Sequence, residues 1–174
     1  MASKRATQRN AKPSKSRSTV RVRAKKAAVR RSAPVKARAA PAKARPKQKF
    51  MVHRFSEQGF KIDGLRTYAR YRDLGVKDAT HGQAIAHVIR FLPPCDPKVV
   101  SKNHFHDVDF QMIYVLKGWL KSEFGDGHGT HTMKAGDAWL QPPRIQHKVL
   151  DYSDDCEVLE IVLPGDFDTV ELEK

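Results

Sequence analysis

Along most of this chain, apolar and polar residues alternate in short runs with a period of two. In the run Gln111-Met-Ile-Tyr-Val-Leu-Lys117, Gln111, Ile113 and Val115 fall on one face and Met112, Tyr114 and Leu116 on the other. A period of two is that of a β-strand. Residues 65–71 alternate in the same way, and 83–92 form a β-branched run stopped by Pro93-Pro94. Residues 111–124 read as two strands bending near Gly118. Residues 131–133, 138–141, 146–150 and 158–163 supply four more, and 50–55 is a further short candidate. Only 73–78 suggests a helical turn, and the cluster 125–129 (Gly-Asp-Gly-His-Gly) is a turn. Short, closely spaced strands with Gly, Pro and Asp between them predict an all-β sandwich or barrel.

Upstream of Phe50 the alternation stops. Residues 1–49 are mostly Lys, Arg, Ala, Pro and Ser, with Met1, Val20, Val22, Val29 and Val35 the larger apolar side chains. The first fifty residues hold 18 of the 33 Lys and Arg and no acid. The other 124 (174 less 50) hold 15 and all 19 acids, so the parts carry +18 and −4, giving the net +14. A segment this poor in apolar area cannot offset its ordering entropy, so a disordered basic tail over 1–49 is expected ahead of one domain over 50–174. Its cations, Lys25, Lys26, Arg30 and Arg31 among them, suit non-specific binding to nucleic-acid phosphates. No aromatic residue precedes Phe50 to stack on bases. Cys95 and Cys156 are too few for a disulfide framework and read as reduced thiols. No apolar run approaches a membrane span or a secretory h-region. A cytoplasmic, nucleoid-associated protein is the expectation.

The candidate chemistry lies on one of the strands. His104 and His106 stand at i and i+2, so they face the same side with backbones about 6.6 Å apart. Two imidazoles so placed can converge on one cation, and they are expected to open the strand that runs on to Gly118. Ile113 and Val115 share the Gln111 face and are expected to line a pocket beside the ion. His87, Asp107 and Asp109 are the candidates for a general base. Arg144, on the Pro142-Pro143 loop, is a candidate grip for an anionic substrate.

The full spacing is His104-x-His106-x4-Gln111-x6-Gly118, then Gly136-x5-Pro142-x4-His147. It resembles the two motifs of the cupin superfamily over about residues 65–165. The family's first motif has Glu where this chain has Gln111. Its second prefers Gly where Arg144 stands and often has Asn where Asp151 stands. The resemblance implies a small jelly-roll-like β-barrel that pairs as a homodimer and takes a small-molecule ligand. It also implies one divalent transition metal (Mn, Fe, Ni, Co, Cu or Zn) held by His104, His106, Gln111 and His147. Some family members use Gln at this position, including the cupin that linearises unsaturated uronates in pectin and alginate breakdown.

Three imidazoles and an amide leave the ion its full charge. That favours Lewis-acid chemistry of isomerase, cyclase or lyase type on a small oxygenated substrate. The 2-His-1-carboxylate arrangement of an iron dioxygenase, a second reading, lacks its carboxylate. A third reading is a non-catalytic ligand-binding cupin tethered to nucleic acid by its tail.

Overall fold

The alternating runs fold as strands. In a computed structural model of the chain, the described residues are 46–62, 64 and 66–172, all within one unit, Lys43–Lys174. In order they form β1 (Ala69–Asp73), α1 (Val76–Ala79), β2 (Ile85–Phe91), α2 (Pro97–Val100), β3 (His104–Asp107), β4 (Phe110–Lys117), β5 (Trp119–Phe124), β6 (Gly129–Lys134), β7 (Ala138–Leu140), β8 (His147–Tyr152), β9 (Glu157–Leu163) and β10 (Asp168–Glu171). The strands pair antiparallel into two five-stranded sheets, β1-β2-β9-β4-β7 and β10-β3-β8-β5-β6. This is the all-β, two-sheet barrel the alternation predicts.

The period-two pattern decides which side chains enter. On β4, Gln111, Ile113 and Val115 are buried, while Phe110, Tyr114 and Leu116 face out. On β9, Val158 and Val162 are buried on the same face as Glu160. Gly118 carries the chain from one sheet to the other at a φ of 66°. A Cβ there would lie 2.1 Å from Ser153 Oγ, so the crossing needs glycine for its conformation and for the close approach. Phe91, Val100, Ile113, Val115, Leu120, Tyr152, Cys156 and Val158 belong to the apolar core. Each large aliphatic side chain buried there contributes about 1.5–3 kcal/mol relative to exposure.

The structure corrects several expectations. Residues 50–55 are not a strand: Phe50, Val52 and Phe55 are exposed, and no sheet partner covers them among the described residues. The two histidines do not open the strand of Gln111. They occupy their own four-residue strand, β3, in the opposite sheet. Two elements carried no readable periodicity: α2, capped by the Asp96 side chain accepting from Lys98 N, and β10, which pairs with β3. The expected tail, with Lys25, Lys26, Arg30 and Arg31, lies outside the described residues, apart from 46–49. There Lys49 N donates to Ala79 O at 2.9 Å. No helix among the described residues is long and apolar enough to cross a membrane.

Candidate metal centre

Burying a polar side chain costs free energy unless it is paired, so the places where buried polar groups collect are informative. Six polar residues are buried among the described ones: His104, His106, Gln111, Ser122, Gln141 and His147. All six line one cavity of about 90 Å³ between the two sheets. A core that needed only packing would not gather its polar groups in this way.

The registers explain the convergence. β3 pairs with β8 at His104↔His147, which sets those two imidazoles side by side with ring centres 4.2 Å apart. His106, two residues on, points the same way, with its ring 5.1 Å from His104 and 5.2 Å from His147. One nitrogen from each ring lies within 4.8 Å of the others.

Hydrogen bonds behind the rings fix which nitrogen that is. His104 Nδ1 lies 2.9 Å from Lys102 O, and His147 Nδ1 lies 3.0 Å from Ile145 O. A carbonyl only accepts, so both Nδ1 atoms carry the proton and both Nε2 atoms keep a lone pair. His106 Nδ1 shares a 2.8 Å hydrogen bond with Thr169 Oγ1 on β10. This is the outer support that orients histidine ligands of metals. Burial, then the neighbouring His147, holds the His104 imidazole down at about 3. Burial holds His106 at about 4 against the pull of Glu160, and lowers His147 as well. The rings are therefore neutral at physiological pH, the form that binds a metal. This donor set fits a divalent transition ion.

A hydrogen-bonded chain runs from these rings across the sheet. Gln141 Nε2 donates to Gln111 Oε1 at 3.0 Å and lies 3.2 Å from His147 Nε2. Trp139 Nε1 donates to Gln141 Oε1 at 3.0 Å. Gln111 Nε2 donates to Glu160 Oε1 at 2.6 Å, and Glu160 Oε2 lies 2.5 Å from His87 Nε2. Burial pushes the Glu160 carboxyl up, but its hydrogen bond and charge interaction with His87, helped by Gln111, hold it below the usual carboxylate range.

The cupin domain family matches residues 95–162, a span that contains all three histidines. Over that span the chain is similar to a cupin domain. Among solved structures it is similar to the polyketide cyclase RemF from Streptomyces resistomycificus, at 18% identity and a TM-score of 0.55, over 71% of this chain and 87% of that one. It is also similar to oxalate decarboxylase from Bacillus subtilis, at 18% identity and a TM-score of 0.52. That match covers 73% of this chain but only 34% of the decarboxylase. No curated protein sequence matches. At such identities the likeness is one of fold.

The barrel interior sorts the residues singled out by sequence. His104, His106, Gln111, His147 and Ile113 all line the cavity. Val115 lies in the apolar core behind it. His87 stands on the far side of Glu160, edge-on to Tyr71, and opens onto a separate cavity of about 720 Å³ that also takes in Lys61 and Asp73. Asp107 and Asp109 are exposed on the rim strand and loop. Arg144 is exposed too, its Nη1 3.6 Å from the Asp107 carboxylate and its guanidinium over the Phe105 ring. Neither Arg144 nor the two aspartates line the histidine cavity.

Sequence reasoning passed over Glu160, Gln141 and Arg66, which do line it. Glu160 had a signal: a lone acid on the inward period of β9, between Val158 and Val162. Arg66, in the loop before β1, had none.

Proposed function

We propose that this cupin is a metal-dependent enzyme of isomerase, cyclase or lyase type, acting on a small oxygenated substrate. One observation carries the reading. Three neutral imidazoles, two of them with Nδ1 tied to a backbone carbonyl, converge in a cavity that also holds Gln111. His104, His106 and His147 would hold the ion, with Gln111 as fourth ligand once its Oε1 exchanges Gln141 for the metal. A divalent ion there supplies Lewis acidity, polarising a carbonyl or enol oxygen of the substrate. With no carboxylate in that set the reading favours such chemistry over oxygen activation.

The chain's own residues would do the rest. Glu160, at the cavity wall, is ionised, with Oε1 accepting from Gln111 and Oε2 held by His87, so it would orient the Gln111 amide toward the ion. Ile113, Leu120 and Val149 supply the apolar wall that limits water. The fold shared with a polyketide cyclase supports this class of chemistry only by analogy. Elemental analysis of protein purified without a polyhistidine tag tests the centre. About one transition-metal ion per chain is expected, and its loss in His104→Ala/His106→Ala; full metal retention in that variant sinks the assignment.

The 18 Lys and Arg of the first fifty residues support a second, independent proposal. They act as an electrostatic arm that holds the protein on nucleic acid in the cytoplasm, in keeping with a nucleoid-associated homodimer.

A further inference from the structure

Among the described residues, Arg66 is the one strong cation in the wall of the histidine cavity. Its side chain is only 10% exposed, so nine-tenths of it is out of water. Nη1 donates to Glu171 Oε1 at 3.0 Å. Nη2 is buried and finds no hydrogen-bond partner among the described residues. A buried, charged donor left without an acceptor is costly, so proteins keep one where a ligand satisfies it. Glu171 is 52% exposed and holds one arm of the guanidinium fork, leaving the other for the cavity.

We infer that Arg66 binds a carboxylate, or another planar oxyanion, of the substrate in the cavity that His104, His106 and His147 line. This rests on reading that cavity as the substrate site, and it narrows the substrate class to small oxygenated acids. The fork geometry of a guanidinium matches two oxygens of one carboxylate, which an ammonium does not. Glu160, in the same wall, repels an anion and so orients the acid group toward Arg66. The cavity is far below the several hundred Å³ of a drug-sized site, so the acid must be small.

The test uses the full chain, metal-free and Zn²⁺-loaded, titrated with pyruvate and with its uncharged methyl ester. Emission of Trp139, which lines the cavity, reports binding. Saturable pyruvate binding is expected, with the ester weaker by about tenfold or more. Arg66→Gln weakens pyruvate binding about tenfold to a hundredfold in both metal states, the worth of one or two charge-assisted hydrogen bonds. Arg66→Lys falls between. Glu171→Gln, which removes only the structural partner, keeps pyruvate binding, whereas a purely structural role for Arg66 makes it behave like Arg66→Gln. Equal binding of acid and ester, equal binding by Arg66→Gln and the native chain, or no saturable binding of pyruvate in either metal state overturns the inference. If Arg66→Gln fails to fold, the acid-to-ester ratio of the native chain and the Arg66→Lys titration decide. A chain that takes up no metal yet keeps the Arg66 contrast in its metal-free state refutes the metal centre and leaves the anion site standing.

Discussion

Gln141 donates its side-chain amide to Gln111 Oε1 at 3.0 Å, joining the loop after β7 to the motif residue of β4 inside the barrel. The same Gln141 accepts from Trp139 Nε1 at 3.0 Å. Gln141→Leu keeps most of the volume but leaves the buried Gln111 Oε1 without its partner, at about 1–3 kcal/mol, and the part-buried Trp139 Nε1 at less. We expect a loss of about 1–4 kcal/mol in urea unfolding of the metal-free protein, with metal stoichiometry unchanged. A variant as stable as the native chain would show that water replaces Gln141 without penalty.

Removing ligands should separate essential from auxiliary donors. His147→Ala takes away one of three convergent imidazoles and is expected to lower metal affinity by several orders of magnitude. Gln111→Ala removes only a neutral amide oxygen, and about a tenfold loss is expected at unchanged stoichiometry. Competition with a chelator of known affinity measures both. If the two variants lose equally, Gln111 contributes as much as an imidazole and the ranking is wrong.

The histidine shifts set a pH dependence. In the unfolded chain an imidazole titrates near about 6.5. In the folded chain His104 and His106 are held at about 3 and about 4 by burial. Below about pH 6.5 the unfolded state takes up protons that the folded state refuses. Metal-free stability therefore falls as pH drops through that window, by up to about 1.4 kcal/mol per pH unit for each histidine, and levels off near the folded values. Metal affinity should stay nearly flat from pH 8 to 5, since no ligand proton has to leave. Denaturation of the chelated protein and calorimetric metal titration across that range check both; a tenfold affinity loss between pH 7 and 6 contradicts the second.

Glu160 shows the opposite kind of shift. Its folded carboxyl is held low by His87 and Gln111, so its stabilisation is complete above the unfolded value of about 4.3 and disappears as pH falls through the folded one. Glu160→Gln is expected to lose about 1–3 kcal/mol at pH 7, with the gap to the native chain narrowing below about pH 4.5. Thermal unfolding of both proteins from pH 7 down to about 2 measures the gap. A constant difference at all pH values would mean that the Glu160 carboxyl is not held low in the folded chain.

The basic arm predicts a salt slope. Each phosphate contact contributes about 0.9 to the slope of log affinity against log salt on duplex DNA. Changing Lys25, Lys26, Arg30 and Arg31 together to Gln in the full chain should flatten that slope by up to about 3–4 and weaken binding to all sequences alike. Full-length protein that ignores DNA at low salt would end the proposal.

Sequence by itself determined the fold class and half the centre. A period of two is a local property: each residue's face follows from its neighbours, so β2, β4, β5, β8 and β9 were readable as strands, and His104 and His106 as a convergent pair. His147 came from the cupin spacing, because nothing local distinguishes it from other histidines. Residues 50–55, a short apolar-rich candidate, form no strand, since local composition states only that a strand is compatible with the chain. Which residues complete the cavity was decided by pairing between strands far apart in sequence. The β3–β8 register brings His147 to His104, and the β4–β9 register brings Glu160 into the wall beside Gln111. Arg66 enters from a loop with no period at all. Register and loop path depend on the whole barrel closing, and only the tertiary structure holds that information.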